Sequence, residues 1–273
     1  MSSGSSVAIS VRGADKVYPN GTHALQPVDL EIQQGEFVTL LGPSGCGKST
    51  LLKMMAGLLP LDQGALEVWG QPPGTPQPPD RSMAFVFQAP TLMPWATVRA
   101  NVSLPLELAG VPKAEIGPRV EDALRLVGLD QFGGQLPNAL SGGMQMRVSI
   151  ARAFVTNPSV LLMDEPFGAL DEITRHKLDA ELLEIWRARK ITVIFVTHSI
   201  HEAVFLSSRV VMMAARPGRI VEEIPIDEPY PRNTDFMVTP QFSIYAKRLQ
   251  DSLHRASRAE AKASANANAN AQE

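Results

Sequence analysis

The alternation of apolar and polar side chains predicts short strands in the first third of the chain. Residues 28–32 alternate apolar with acidic residues, which is the period-two pattern of a strand with one buried face. Residues 37–41 form a short apolar run that is typical of a fully buried strand. The run ends in a glycine-rich turn, and helix-forming residues follow over 48–56. The pattern therefore predicts strand, turn and helix in that order.

Helical and strand patterns alternate through the rest of the chain. Between residues 105 and 127 one apolar helical face is formed by Ile116, Val120, Ala123, Leu124 and Val127. We interpret about 90–140 as a helical insert. Further strands are predicted at 83–87, 160–163, 192–197 and 210–213, and further helices at 143–156, around 178–186 and at 199–206. Strands that alternate with helices indicate a largely parallel sheet covered on both faces.

Changes in composition suggest the domain boundaries. Residues 71–79 are rich in proline and glycine, so we expect a loop there. After Arg255 the composition turns to alanine, serine, asparagine and glutamate. We predict one domain over 1–232, a short helical extension over 233–262, and a disordered tail over 263–273.

Composition narrows the class of protein. The 273 residues include 25 Lys and Arg against 28 Asp and Glu, a formal net charge of −3. This balance argues against a protein that coats nucleic acid. The single cysteine, Cys46, permits no disulfide within the chain and suits a reducing compartment. We expect neither a signal peptide nor a membrane-spanning helix, because no apolar run approaches the ~20 residues that a span needs.

A phosphate-binding loop is predicted at Gly42–Ser49, whose sequence GPSGCGKS fits G-x-x-x-x-G-K-[ST]. Glycines let backbone amides and the helix N-terminus face a phosphate. Lys48 can reach the β- and γ-phosphates, and the Ser49 hydroxyl can ligate Mg²⁺. A chance glycine-rich turn is the alternative, and it is disfavoured by the flanking strand and helix. We interpret Cys46 as a bystander in this loop.

Two carboxylates end the predicted strand at Val160–Glu165. Ligands bind at the carboxyl ends of strands in open α/β sheets. Asp164 can therefore hold Mg²⁺, usually through water, and Glu165 can orient or deprotonate an attacking water. The pattern is weak alone and becomes strong after a phosphate loop in the same sheet.

Further residues suggest contacts with phosphate or base. At Leu140–Arg147, Ser141 is a candidate helix cap, and the two glycines that follow can expose amides as a second phosphate site. An ordinary helix start is the alternative. His198 and Gln88 each follow a predicted strand, and Tyr18 can stack on a base. Each of these three residues has an equally plain structural explanation.

Together these residues resemble known motifs. In chain order, Tyr18, Gly42–Thr50, Gln88, Leu140–Arg147, Asp164–Glu165, Ala169–Asp171 and His198 resemble the A-loop, Walker A, Q-loop, signature, Walker B, D-loop and H-loop of the ABC transporter ATP-binding subunits. The resemblance covers roughly residues 7–221. Finer features at 92–95, 166–171, 196–203 and 216–220 are similar to the nitrate, sulfonate and taurine importer group. Met146 departs from the usual glutamine, whereas Met144 is usual in that group. We expect Met146 to affect packing or polar contacts across an interface, and not to abolish activity.

The resemblance implies an α/β fold of the P-loop NTPase type, with an ABC-type helical subdomain and an antiparallel β N-terminal part. It implies catalytic roles for Glu165 as base, His198 as γ-phosphate sensor, and Gln88. It implies that Mg²⁺ is held by Ser49, Gln88 and Asp164. The residues that it implies for ATP are Tyr18, Gly42, Pro43, Ser44, Gly45, Cys46, Gly47, Lys48, Ser49, Thr50, Ser141, Gly142, Gly143 and Asp171.

The same resemblance implies the partners. Two subunits, identical or homologous, sandwich two ATP molecules, so that Ser141 and Gly143 of one chain face the γ-phosphate held by Lys48 of the other. The helical insert docks an integral membrane permease, and a solute-binding protein takes part indirectly. This arrangement sits at the cytoplasmic face of the inner membrane and involves no nucleic acid. The solute is a small oxyanion or organosulfur compound of the nitrate, sulfonate or taurine type, and a pyrimidine precursor stays open.

An apolar patch at Leu92–Trp95 has no obvious core to join. Pro90 and Pro94 stiffen its loop. We predict that Trp95 lines a groove for the membrane subunit. The alternative is that Trp95 fills the joint between subdomains.

Three other functions fit the sequence less well. A soluble ABC ATPase of DNA repair or translation predicts a second nucleotide-binding half or a long coiled coil, but there is one phosphate loop and residues 57–140 hold no sustained heptads. A scaffold with a dead ATPase predicts loss of Lys48, Glu165 or His198, and all three are present. A phosphoryl-transfer kinase leaves the signature glycines unexplained.

Overall fold

The computed structural model describes the backbone of residues 6–78, 81–168, 170–215 and 217–270, and the side chains of that part up to residue 256. Its strands are β1 Val7–Val17, β2 His23–Gln33, β3 Phe37–Leu41, β4 Gln63–Val68, β5 Met83–Val86, β6 Val160–Asp164, β7 Thr192–Thr197, β8 Arg209–Ala214 and β9 Arg219–Pro225. Its α-helices are α1 Lys48–Met55, α2 Val98–Leu108, α3 Lys113–Leu126, α4 Gly142–Phe154, α5 Glu172–Arg189, α6 Ile200–Leu206 and α7 Pro240–Asn270. Short 3₁₀ turns lie at Asp130–Phe132, Pro137–Ala139 and Thr234–Val238.

The chain forms two compact units. The first comprises residues 1–75 and 192–273, and the second comprises 76–191. This division differs from the single domain over 1–232 with an insert at 90–140 that the sequence suggests. Strands β5 and β6 and helices α4 and α5 belong to the same unit as the insert, because that unit has its own internal packing.

The first unit contains two sheets. Strand β1 pairs antiparallel with β2 on one side and β4 on the other, which confirms the antiparallel N-terminal part. In the second sheet β3 pairs in parallel with β7 and β8, and β9 adds antiparallel to β8. All five residues of β3 are buried, as expected for a central apolar strand with neighbours on both sides.

The second unit combines a parallel strand pair with helices. Strands β5 and β6 run parallel, and α4 packs against β5. Helix α2 packs against α3 and α4. The predicted apolar face of α3 is present, since Val120, Ala123 and Leu124 are buried. No helix within the described ranges is long and apolar enough to cross a membrane.

The C-terminal helix α7 packs against strand β9 within the first unit. The carboxylate of Glu222 in β9 accepts hydrogen bonds from Ser252 at 2.7 Å and Arg255 at 2.8 Å. Helix α7 continues to Asn270, so the tail that we predicted to be disordered from residue 263 is helical as far as that residue. Alanine is the strongest helix former, which explains why this low-complexity segment continues the helix.

Candidate functional site

The predicted phosphate loop connects β3 to α1. Gly45 and Gly47 adopt φ angles of +79° and +87°, which non-glycine residues rarely adopt. A Cβ on Gly42 would lie 2.4 Å from the carbonyl oxygen of Met213, so the loop also needs glycine for close packing. Gly47 is the N-cap residue of α1, and it has no side chain with which to cap the helix. An anion can therefore accept from these amides at the positive end of the helix.

The ammonium of Lys48 lies inside this loop. Nζ donates to the carbonyl oxygens of Gly42 at 2.8 Å and Pro43 at 3.0 Å, and the residue is buried. The Sγ atom of Cys46 lies 3.9 Å from the same nitrogen. Burial raises the pKa of the Cys46 thiol, although Lys48 opposes the shift. A protonated, buried thiol is a poor nucleophile, so the cysteine contributes packing to the loop.

Tyr18 lies in the turn between β1 and β2. Its backbone amide donates to the carbonyl of Thr22, and its carbonyl accepts from Gly21, both at 2.8 Å. Its hydroxyl lies 3.2 Å from Oγ1 of Thr50 in α1. The structure thus brings the predicted aromatic residue to the helix that follows the phosphate loop.

His198 is exposed at the end of β7, and its neighbours are tightly held. The Thr197 hydroxyl donates to the carboxylate of Glu202, and the Ser199 amide donates to Oγ1 of Thr197 at 2.9 Å. The amide of Glu202 donates to Oγ of Ser199 at 3.3 Å. Ser199 and Glu202 have the S-x-x-E spacing of a capping box, a signal in the sequence that we missed.

The phosphate loop and His198 begin at the same level of one sheet. Leu41 in β3 is the register partner of Thr197 in β7, and both strands run in the same direction. The loop follows Leu41 directly, and His198 follows Thr197. These two predicted elements therefore leave neighbouring strands at their carboxyl ends, where α/β sheets bind ligands.

The two predicted carboxylates lie at the end of β6 in the second unit. Asp164 is the last residue of the strand and is buried. Glu165 adopts φ +45°, in the left-handed region. Such a conformation costs about 1–3 kcal/mol in a non-glycine residue and is concentrated at functional sites. It turns the chain sharply at the strand end, a feature that no sequence pattern predicted.

Gln88 leaves the sheet beside these carboxylates. Val86 in β5 is the register partner of Met163 in β6. Gln88 follows two residues after Val86 and is exposed, while Asp164 and Glu165 follow Met163. Gln88 and the carboxylates therefore follow neighbouring parallel strands at their carboxyl ends.

The signature glycines begin helix α4. Oγ of Ser141 accepts from the amide of Met144 at 3.3 Å, so this serine is a helix cap. Ser141 and Gly142 are exposed, and a Cβ on Gly143 would lie 3.3 Å from Cδ2 of Leu170. Met146 is buried, so of the two effects that we weighed for it the structure favours packing.

Asp171 caps helix α5, where Oδ1 accepts from the amide of Thr174 at 3.0 Å. Hydrogen bonds from Thr174 hold the pKa of the Asp171 carboxyl below its ordinary value. Ala169, in the predicted D-loop, and Arg216, in one of the finer motifs, lie outside the described residues.

The segment after Gln88 is fixed by two buried or half-buried side chains. Arg152 in α4 donates to the carbonyls of Pro90 and Thr91, each at 2.9 Å. Asn101 in α2 is buried, accepts from the amide of Met93 at 2.7 Å, and donates to three carbonyls of the same loop. Trp95 nevertheless exposes 78% of its surface. Trp95 is therefore not a core residue.

Comparison with known proteins gives one family. The ABC transporter family matches residues 25–168. A taurine import ATP-binding protein, TauB, of Rhizobium johnstonii is 44% identical over 242 residues, which cover 87% of this chain and 91% of that protein. An aliphatic sulfonates import ATP-binding protein, SsuB, of Bacillus cereus is 42% identical over 230 residues, which cover 83% and 89%.

Solved structures give the same fold. CbiO1 from Clostridium perfringens, described as part of the ABC transporter complex cbiONQ, has a TM-score of 0.73 and 28% identity, covering 91% of this chain and 98% of that one. A dimeric ATP-binding cassette, MJ0796, in a post-hydrolysis state with ADP and Pi, has a TM-score of 0.73 and 32% identity. That match covers 81% of this chain and 100% of the cassette.

Proposed function

This chain belongs to the ABC transporter family, and we propose that it binds and hydrolyses ATP, as a dimer, to drive solute import through separate membrane subunits. The observation that carries the proposal is the phosphate loop with the Lys48 ammonium inside it. That ammonium donates to two loop carbonyls, so a triphosphate can replace these neutral acceptors with charged ones.

The residues of the phosphate loop support ATP as the substrate. The amides of the first turn of α1 and the loop glycines suit the phosphates, and Tyr18 offers an aromatic face for the base. In the second unit the Gln88 amide oxygen and the Asp164 carboxylate are hard oxygen ligands of the kind that Mg²⁺ prefers, and in the first unit the Ser49 hydroxyl is another. Bound Mg²⁺ would offset the charge of the β- and γ-phosphates during transfer.

Catalysis in this proposal rests mainly on position and charge. Glu165 orients the attacking water and accepts its proton, and the strained backbone at this residue fixes where its side chain starts. His198 donates to the γ-phosphate, and the Thr197–Glu202 contact fixes the backbone on which it sits. Gln88 contacts the metal or the water. Phosphoryl transfer needs little covalent chemistry from such a site.

A second copy of the chain completes each site in this proposal. The exposed Ser141 and the glycines after it face the γ-phosphate bound by the partner copy. The dimeric form of the MJ0796 cassette supports this arrangement. One chain alone would then bind ATP but hydrolyse it slowly, and turnover would rise with protein concentration.

The surface around Trp95 is the proposed docking site for the membrane subunit. Trp95 exposes 78% of its surface, and large aromatic residues are common anchors of interfaces. The contacts of Asn101 with the loop backbone keep this surface ordered, so little entropy is lost when a partner binds. Binding would hold the chain at the cytoplasmic side of the membrane.

The proposed solute is a small sulfonate. The relatives named for taurine and for aliphatic sulfonates support this class, whereas nitrate and pyrimidine precursors rest only on the wider resemblance. ATP-binding subunits do not contact the solute, so the names of relatives are the support here, and no pocket of this chain is involved.

Uptake by cells tests the whole proposal. Cells that lack this chain should fail to take up labelled taurine or an alkanesulfonate, and the wild-type chain should restore uptake. The Lys48→Ala variant, expressed to the same level, should not restore it. Normal sulfonate uptake without the chain would reject the solute, and full rescue by Lys48→Ala would reject the role of ATP.

A further inference from the structure

Asp62 holds the end of strand β1 by three contacts. Its carboxylate accepts from Nζ of Lys16 and from the backbone amide of Val17, both at 2.7 Å. Its own amide donates to the carbonyl of Asp15 at 3.0 Å. Three consecutive residues, 15–17, are therefore bound to one aspartate, and the next residue is Tyr18.

These contacts continue the sheet where its regular pairing ends. The ladder between β1 and β4 ends at the pair Asp15 and Gln63. On the other side, the pairing of β1 with β2 shifts register on both sides of Lys16. Pairing with β2 continues to Val17 and His23, whereas pairing with β4 does not reach residues 16 and 17. Asp62 supplies the missing attachment on the β4 side.

The charge of the contact is partly shielded from water. The side chain of Lys16 is 8% exposed and that of Asp62 is 39% exposed. The Lys16 ammonium, and after it the Val17 amide, lower the pKa of the Asp62 carboxyl, so the group is ionised at neutral pH. A buried ammonium that loses its carboxylate must find water or move, and residues 16 and 17 would move with it.

We propose that Asp62 is a positioning residue for nucleotide binding, which holds the end of β1 so that the ring of Tyr18 meets the base of ATP. The inference rests on the proposed function, in which Tyr18 stacks on that base. The backbone of Tyr18 is also bonded within its own turn, to Thr22 and Gly21, and its hydroxyl lies 3.2 Å from Oγ1 of Thr50. The strand end and α1 together fix the ring.

The chain offers a matched control. Glu67 in β4 also pairs with a cation of β1, since its carboxylate lies 3.1 Å from the guanidinium of Arg12. That pair joins β1 to β4 where the two strands are paired, away from the turn that contains Tyr18. Loss of this ion pair should therefore leave Tyr18 in place.

The experiment measures the dissociation constants of Mg-ATP and of Mg-tripolyphosphate for the full-length chain. Tripolyphosphate binds the phosphate loop but has no base. Asp62→Ala removes both side-chain contacts and should weaken ATP binding about three- to tenfold, with tripolyphosphate binding unchanged. Asp62→Asn keeps an acceptor for the Val17 amide, so it should fold even if Asp62→Ala does not. It should lose less ATP affinity than Asp62→Ala. Glu67→Ala should match the wild type.

A double variant separates positioning from general stability. If Asp62 acts through Tyr18, adding Asp62→Ala to Tyr18→Ala should cause no further loss of ATP affinity. Equal losses for ATP and tripolyphosphate, or additive losses in the double variant, would overturn the proposal. Normal ATP binding by Tyr18→Ala would reject the stacking role itself. If Tyr18→Ala weakens ATP binding but Asp62→Ala does not, the role of Asp62 is rejected and the stacking role of Tyr18 stands.

Discussion

The hydroxyl of Tyr18 lies 3.2 Å from Oγ1 of Thr50, and this contact joins the turn after β1 to the helix after the phosphate loop. The sequence draws attention to the ring of Tyr18 as a surface for a base. The structure adds a role for the oxygen, because it links the base side of the site to the phosphate side within one unit.

Two substitutions at Tyr18 separate the ring from the hydroxyl. The sequence alone predicts that Tyr18→Phe retains ATP affinity, whereas the Thr50 contact leads us to expect a loss of about 0.5–1.5 kcal/mol. Tyr18→Ala should lose more, about 1–3 kcal/mol for the missing stacking. Isothermal titration with ATP measures both. Thr50→Val should lose at least as much ATP affinity as Tyr18→Phe, because Thr50 is itself among the residues implied for ATP. An equal loss for Tyr18→Phe and Tyr18→Ala would assign the whole effect to the hydroxyl.

Glu165→Gln should retain ATP and lose turnover. The amide keeps the size of the side chain but cannot accept a proton from water, so hydrolysis should fall about 10²–10⁴-fold. Phosphate release measures turnover, and titration with ATP measures binding. Glu172→Gln, in the first turn of α5, serves as a control with normal activity. Turnover of Glu165→Gln at the wild-type rate would show that the base is another group.

Trp95→Ala should affect assembly and leave folding unchanged. The side chain is largely exposed and adds little to the core, so the melting temperature should stay the same. Loss of an aromatic anchor should weaken co-purification with the membrane subunits, by about 2 kcal/mol or more if it is a hot spot. Leu58→Ala, at an exposed residue of the other unit, is the control. A lower melting temperature with normal assembly would contradict the docking role.

Glu222 should make the C-terminal helix sensitive to acid. Its hydrogen bond from Ser252, and then its contacts with Arg255 and Arg248, lower the pKa of the carboxyl from its ordinary value. A carboxyl whose pKa is lowered by folding stabilises the fold at pH values above its unfolded-state pKa. That stabilisation is lost as the pH falls through the folded-state pKa. Glu222→Gln should therefore cost about 0.5–1 kcal/mol near neutral pH, with the difference from wild type vanishing in acid.

Urea unfolding at several pH values measures this difference. Asp251→Asn, at an exposed residue of the same helix, is the control for a simple change of charge. A constant difference between wild type and Glu222→Gln from neutral to strongly acidic pH would show that the carboxylate charge is not involved.

Patterns that depend on neighbours in sequence predicted much of this fold. The apolar run before Gly42 and the helix formers after Lys48 give β3 and α1, with ends within one residue of the expected ones. Local patterns were less informative for helix α2, which starts at Val98 and contains Pro105. Proline is easily accommodated in the first turn of a helix, so Pro105 suggests that a helix begins there. In the structure Pro105 instead lies in the second half of α2.

Contacts between distant residues were not predictable. Asp62 bonds to residues 16 and 17, which are more than forty positions away, and Asn101 bonds to backbone groups of a loop. Such contacts depend on where the chain returns, which periodicity does not encode. The φ angle of Glu165 was likewise not predictable, because surrounding packing maintains a conformation that the residue type disfavours.

Arg152 attaches the loop that contains Trp95 to helix α4, which is capped by Ser141. Its guanidinium is bonded to the carbonyls of Pro90 and Thr91, so a shift of the loop is shared by α4. Burial lowers the pKa of this guanidinium, but an arginine stays charged at any physiological pH, so the contact does not depend on pH in that range. Thermodynamic linkage then runs both ways. In the proposed function a partner binds this loop and phosphate binds at the Ser141 end, so a partner that favours one position of the loop would change the affinity for phosphate, and phosphate would change the affinity for the partner by the same factor.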